Sequence, residues 1–237
     1  PALAAVDGME SLSRMAGQGN ADAQFMMAEA YSQGEGEKKD EALALFWYHA
    51  AAEQNHVGAQ SALGAAYANG LGVTKNETQA ASWYLKAAEQ GDVRAQEALC
   101  LAYAYGRGVP IDYKQAVYWA NKGAEQGSAV AQVLLAAAYA TGEGVAKDYK
   151  KAMAWYQQAA EQGKAVAQFQ LGVGYANGFG VAKDGIKAYA WYALAAGNGF
   201  SDAEASRLRM QQRLTATELQ AAQALAAEWK QKYKTTP

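Results

Sequence analysis

The chain has 237 residues, a formal net charge of −2, and an apolar half that is rich in alanine. No basic run stands out, so nothing suggests a phosphate-backbone footprint, and no apolar stretch reaches the roughly 18 to 20 residues needed to span a bilayer. A single cysteine excludes an intrachain disulfide and leaves the redox compartment open.

The chain begins at Pro1 rather than Met, which leaves a removed signal peptide or a trimmed start open; Ala2-Leu3-Ala4 resembles a small-residue cleavage site, a weak match in so alanine-rich a chain. Residues 1–18 read as a degenerate half-unit in which Ser11 stands where later units carry Trp. An atypical end unit, with one face in water, is what a helical stack needs as a cap. From 19 to 200 the chain repeats with a period of 36 and no insertion. Trp47, Trp83, Trp119, Trp155 and Trp191 share one register, as do Tyr31, Tyr67, Tyr103, Tyr139 and Tyr175. Gln24, Gln60, Gln96, Gln132 and Gln168 form a third column, which Glu204 extends. A fixed period of this length predicts a solenoid in which each unit stacks on its neighbours.

Each unit predicts two helices. Helix A spans 21–33, 57–69, 93–105, 129–141 and 165–177; each copy is followed by a glycine (34, 70, 106, 142, 178) suited to a left-handed C-cap. Helix B spans 41–54, 77–90, 113–126, 149–162 and 185–198. Asp40, Asn76, Asp112, Asp148 and Asp184 precede it as N-caps. Within it Ala152, Trp155, Tyr156, Ala159 and Ala160 trace an i, i+3, i+4, i+7, i+8 apolar stripe. Gly91, Gly127, Gly163 and Gly199 close it, and Asn55 takes the same slot. Residues 201–237 read as a last helix A over 201–213, then a capping helix. That helix opens with the capping box Thr215-x-x-Glu218 and carries Leu219, Ala222, Leu225, Ala226 and Trp229 on one face. Lys230 to Pro237 is polar and is expected to fray.

The string A-x-x-x-L-G-x-x-Y-x-x-G-x-G-V at Ala167 to Val181, and D-x-x-x-A-x-x-W-Y-x-x-A-A-x-x-G at Asp148 to Gly163, resemble the Sel-one-like repeat family, a branch of the tetratricopeptide-like solenoids. The resemblance covers nearly the whole chain. It implies an all-α, right-handed superhelical solenoid with A helices lining the concave side, and an adaptor function that holds other proteins. It also implies export in a bacterium, to the periplasm or outside, over a cytoplasmic place. Some secreted relatives carry a cysteine pair in each repeat; here Cys100 shares its column with Ala28, Gly64, Ala136 and Gly172, and reads as a small buried residue rather than a reactive thiol.

Positions that vary between units are free to do more than hold the stack. On helix A these are the equivalents of Asp22, Phe25, Glu29 and Gln33, which share one face. The face continues as Gly58, Ser61, Ala65, Asn69; Arg94, Glu97, Leu101, Tyr105; Val130, Val133, Ala137, Thr141; and Val166, Phe169, Val173, Asn177. The expectation is a groove in which a partner segment lays apolar side chains over Val133, Phe169 and Val173, while Arg94, Tyr105 and Asn177 fix its register. The alternative is that these Val and Phe side chains pack between helices.

The repeated tryptophans, with Tyr67, Tyr103, Tyr139 and Tyr175, read as structural aromatics rather than a stacking ladder. The Gly-x-Gly turns lack the Lys and Ser/Thr of a phosphate loop. His49 and His56 have no repeated counterparts and no zinc-like spacing, so both read as incidental and no metal or cofactor is expected. Two other functions stay open. A hydrolase of the penicillin-binding type is one, on the strength of secreted relatives, although no Ser-x-x-Lys or Gly-x-Ser-x-Gly occurs. A structural spacer without a ligand is the other. The preferred reading is a monomeric, non-enzymatic scaffold for a protein or peptide, with no nucleic acid and no membrane insertion.

Overall fold

Repeated glycines and short polar residues decide where each helix stops and the next begins. In the computed structural model, which describes residues 2–34 and 38–233, thirteen α-helices and no strands are present among the described residues. They fall into two compact units. The first, Pro1–Asp112, holds α1 (Ala2–Gly17), α2 (Ala21–Gln33), α3 (Glu41–Ala52), α4 (Val57–Asn69), α5 (Glu77–Glu89) and α6 (Val93–Tyr105). The second, Tyr113–Pro237, holds α7 (Tyr113–Glu125), α8 (Ala129–Thr141), α9 (Tyr149–Glu161), α10 (Ala165–Asn177), α11 (Gly185–Gly197), α12 (Ser201–Gln211) and α13 (Ala216–Lys232). The fold class is the expected one, all-α and built of consecutive packed helix pairs.

The A helices α2, α4, α6, α8 and α10 have the spans read from the sequence. The B helices end one or two residues early, and α12 stops at Gln211 rather than 213. The reason is local: the residue ahead of each left-handed position already leaves helical geometry, as at Gln162 with φ −87° and ψ 10°. Gly163 then turns the chain at φ +82°, and Lys164 N–H returns to the Ala159 carbonyl at 3.1 Å. Asn55 makes the same turn at φ +63°. After α10, Gly178 sits at φ +81° and its N–H donates to the Gly174 carbonyl at 2.8 Å. Asp184 N–H then donates to the Tyr175 carbonyl at 2.9 Å, while the Asp184 carboxylate accepts from Lys187 N–H at 2.9 Å and caps α11. Tyr31, Tyr67, Tyr103 and Tyr139 carbonyls receive the equivalent bond, which satisfies an orphan group at each helix end.

The second glycine of the four later Gly-x-Gly turns has a packing duty. A Cβ on Gly72 or Gly108 in the first unit would overlap the backbone carbonyl of Glu41 or Glu77; on Gly144 or Gly180 in the second it would overlap that of Tyr113 or Tyr149. Each turn therefore lies directly on the first residue of the preceding B helix.

Leu63 and Leu99 in the first unit, and Leu135 and Leu171 in the second, are fully buried beside alanine columns that admit close helix approach. The tryptophan column buries unevenly. Trp191 is 1% exposed and Trp119 is buried, while Trp47, Trp83 and Trp155 are half-buried at the margins of their clusters. Tyr67 is buried; Tyr103, Tyr139 and Tyr175 are half-buried. Trp191 owes its burial to α13, which lays Trp229 at 4.5 Å and Tyr233 at 5.8 Å between ring centroids. The capping box at Thr215 and Glu218 is present in both directions. Helix α13 runs through Lys232, and residues 234–237 of the stretch expected to fray lie outside the described residues, as does Pro1.

The glutamine column is a set of buried amide relays. Gln168 Nε2 donates to the Ala160 carbonyl at 3.1 Å, and its Oε1 accepts from Asn198 Nδ2 at 2.9 Å. In the first unit Gln60 donates to Ala52 at 3.3 Å and accepts from Gln90 at 2.7 Å, and Gln24 donates to Ala16 and accepts from Gln54. Each of these three amides thus answers the last carbonyls of the preceding helix and is answered by the end of the next B helix, while Gln132 accepts from Gln162 in the same way and donates to Gln158 Oε1 at 3.4 Å. Glu204 keeps the spacing but not the role. It is exposed and pairs with Arg207 at 2.7 Å.

Candidate functional site

The variable A-helix positions of the first unit divide into packed and open ones. Phe25 stacks on His56 at 4.5 Å, and Ser61 Oγ donates to Asp92 Oδ1 at 3.0 Å. His56 and Asp92 are the N-caps of α4 and α6, so this column clamps successive A helices together. Glu29 accepts a hydrogen bond from Tyr48 Oη, and burial, with that carboxylate beside it, pushes the phenol up to about 12. On α6, Arg94 is exposed, Glu97 is half-buried, and Tyr105 is 64% exposed with the Arg107 guanidinium 5.3 Å from its ring centre.

Leu101 lines a cleft of about 600 Å³ between α4, α5 and α6. Asn69, Tyr84, Lys75, Glu77 and Arg107 share its walls, with Ala98 and Ala102 beside Leu101. One repeat earlier Tyr48 meets Glu29, whereas Ala65 stands at the register of Glu29 and offers no carboxylate. A hydrogen bond from the Lys75 ammonium, 2.8 Å away, holds the Glu77 carboxyl below its usual range, and burial raises the Tyr84 phenol. An apolar floor with a few charged and amide groups at its wall suits a peptide side chain.

In the second unit the predicted apolar grip is engaged within the protein. Phe169 stacks on Phe200 at 4.6 Å and lies 5.5 Å from Tyr192. Val173 packs with it in the C-terminal cluster, and Val133 packs against the cluster around Leu171. Thr141 and Asn177 are exposed, but both turn back on their own helix: Asn177 Nδ2 donates to the Val173 carbonyl at 2.9 Å, and Thr141 Oγ1 lies 3.5 Å from the Ala138 carbonyl.

Neither histidine is incidental. His56 Nδ1 accepts from Ala59 N–H at 3.1 Å as the cap of α4, and its Nε2 lies 3.4 Å from Asp22. His49 lies 3.1 Å from Tyr67 Oη and edge-on to Trp83, and burial lowers its pKa. The signal for the first was available: residues 20, 56, 92 and 128 are Asn, His, Asp and Ser, all able to cap a helix. Cys100 is buried, and burial pushes its thiol up to about 12. Since only the thiolate reacts, a thiol-specific disulfide reagent at pH 8 is expected to leave Cys100 unmodified in the folded protein and to titrate one thiol in denaturant. Rapid labelling without denaturant would overturn this placement. No group of three or more His, Cys, Asp or Glu suited to a metal occurs among the described residues.

Residues 21–56, 57–92, 93–128, 129–164 and 165–200 each match the profile of the Sel1 repeat family. Among solved structures, one similar chain is a protective antigen of uropathogenic Escherichia coli strains that displays an SLR fold. It is 40% identical, with a TM-score of 0.86 over 95% of this chain and 48% of that one, so this chain spans about half of its length. A Sel1 repeat protein from Oxalobacter formigenes is 33% identical, with a TM-score of 0.75 over 84% of this chain and 86% of its own. No curated protein is significantly similar to the chain.

Proposed function

This chain belongs to the Sel1 repeat family, whose members are in general protein-interaction scaffolds of a typically non-enzymatic kind, and from that premise we propose that its A-helix faces hold a peptide or protein segment, anchored in the first unit. The observation that carries the proposal is the cleft of about 600 Å³ at Leu101. A partner's apolar side chain sits over Leu101, Ala98 and Ala102. The Arg107 guanidinium holds the partner's backbone carbonyls, and the exposed Tyr105 ring covers the entering chain, while Asn69, like Asn177, turns its amide back to its own helix at the Ala65 carbonyl. Tyrosine and arginine are the residue types that dominate such anchors, because they give large contact area at low ordering cost. The surface is preformed, so little reorganisation falls on the scaffold.

The test is a peptide array probed with the wild type and with Leu101→Glu, Tyr105→Ala and Arg107→Glu, each first checked for native helicity by circular dichroism. Peptides with a bulky apolar residue are expected to bind the wild type and to lose about tenfold or more with each variant. Tyr105→Ala is exposed and leaves the fold alone, so binding that survives it and Arg107→Glu unchanged would remove the cleft from the function.

A further inference from the structure

The near-neutral total hides a division of charge. The first unit carries 7 basic and 14 acidic residues, and the second carries 14 and 9, giving formal charges of −7 and +5. Part of that difference falls where B helices begin. In the first unit α3 and α5 each have an acid in the first turn, Glu41 and Glu77, bridged to Lys39 at 3.1 Å and Lys75 at 2.8 Å. In the second unit α9 and α11 have none, and instead carry Lys150 and Lys151, and Lys187. Lys147 and Lys183 stand in the turns ahead of them. Cations at a helix N-terminus oppose the macrodipole, so this arrangement is locally unfavourable. Among the described residues Lys147, Lys150, Lys151 and Lys183 are in no ion pair, and only Lys187 reaches Asp184, at 3.4 Å. The nearby acids are otherwise engaged: Asp148 and Asp184 accept backbone N–H groups as caps, and Glu143 bonds Thr141.

A cleft of about 430 Å³ opens on this same face. Lys150, Met153, Gln157, Tyr175, Lys187 and Trp229 line it, and no carboxylate does among the described residues. Lys187 Nζ also lies 5.3 Å from the Tyr175 ring centre, and Trp229 is half-buried beside Trp191. An aromatic and thioether surface flanked by the unpaired Lys150 ammonium and by Lys187, whose one acidic neighbour Asp184 is shared with the cap of α11, matches one kind of ligand: an apolar side chain with carboxylates on both sides.

We propose that the face formed by the first turns of α9 and α11, with Trp229 of α13, docks an acidic segment of a partner protein that carries an aromatic or aliphatic side chain. This surface is separate from the α4–α5–α6 cleft and goes beyond the function proposed for it. Side-chain carboxylates meet Lys150 and Lys187, the apolar group lies on Met153 and Trp229, and Lys147, Lys151 and Lys183 draw the segment in by long-range attraction.

The test uses the full chain and a fluorescein-labelled twelve-residue peptide of glutamates around a central Trp-Leu pair, read by anisotropy in 50 mM NaCl. Lys150→Glu with Lys187→Glu is expected to weaken binding about tenfold or more, and Lys150→Arg with Lys187→Arg to keep it within about threefold. The charge-matched pair Lys122→Glu with Lys164→Glu, which line no part of the cleft, is expected to weaken it by no more than about threefold, and 0.5 M NaCl to weaken it for the wild type as screening shortens the reach of charge. All these side chains are exposed and only Lys187 is bridged, to Asp184, so each variant should retain native helicity, which is measured first. Equal losses in both charge-reversed pairs, or no binding by the wild type, would overturn the proposal. Two further outcomes also overturn it, by naming another occupant: salt-sensitive self-association in sedimentation, abolished by the cleft pair, or tighter cleft-dependent binding to vesicles of anionic lipid than to the peptide.

Discussion

Gln168→Glu is expected to destabilise the second unit by about 3 kcal/mol or more at pH 7.5, and by much less at pH 4. The side chain is fully buried. Its Oε1 already accepts from Asn198, but its Nε2 answers the Ala160 carbonyl at 3.1 Å. A carboxylate oxygen in that place would have no donor of its own and would set a negative charge against the Ala160 carbonyl, which would keep its bond from Gly163 N–H at 3.0 Å. Burial and that repulsion raise the folded-state pKa of the new carboxyl above its unfolded value of roughly 4.3. Below the unfolded value both states hold the proton, the O–H donates to Ala160, and stability is near that of the wild type. As pH rises above it the unfolded chain ionises first, and stability falls until the folded pKa is passed. Urea unfolding at the two pH values measures the difference. A loss independent of pH would mean that the amide is not enclosed as described. Glu204 shows the same rule from the other side, since an acid occurs in this column where the position is exposed and an arginine is at hand.

Gly180→Ala is expected to cost about 3–5 kcal/mol, against about 1 kcal/mol for Gly199→Ala. The two glycines have positive φ, +68° and +86°, so an alanine pays similar conformational strain at both. They differ in surroundings. A Cβ at Gly199 meets nothing within 4 Å, whereas one at Gly180 would overlap the Tyr149 carbonyl, which belongs to a helix backbone and cannot rotate aside. Relief requires the turn to lift from α9, with loss of contact along that seam. Thermal unfolding of the pair separates steric approach from strain, and equal shifts for both would show that the seam tolerates a methyl group.

The candidate sites were less legible than the fold, for a definable reason. Comparing units shows which positions vary, but variation has two causes. At Phe25, Ser61 and Phe169 the residue changes together with its partner on the next A helix, His56, Asp92 and Phe200, so the pair is conserved in function while each member varies. At Ala65 the variation removes a partner, since an alanine there cannot accept from a tyrosine as Glu29 does from Tyr48. A single column cannot distinguish these cases; two columns read against each other, 31 residues apart, can. The division of charge between units was also present in the sequence, and was hidden by taking the total.

Helix spans, caps and the period were set locally. A left-handed glycine, a short acceptor side chain and a 3.6-residue apolar stripe act within a few residues of themselves, so the chain carries them without reference to its fold. Burial was not local. Trp191 and Trp155 occupy the same register in the same kind of helix, yet only Trp191 is sealed, because α13 lies over it. The glutamine column likewise gains its meaning only when three helix ends converge on one amide, and each cleft is lined by side chains from separate helices that packing brings together. Those are properties of distance between segments far apart in the chain, which packing sets and a repeat pattern cannot express.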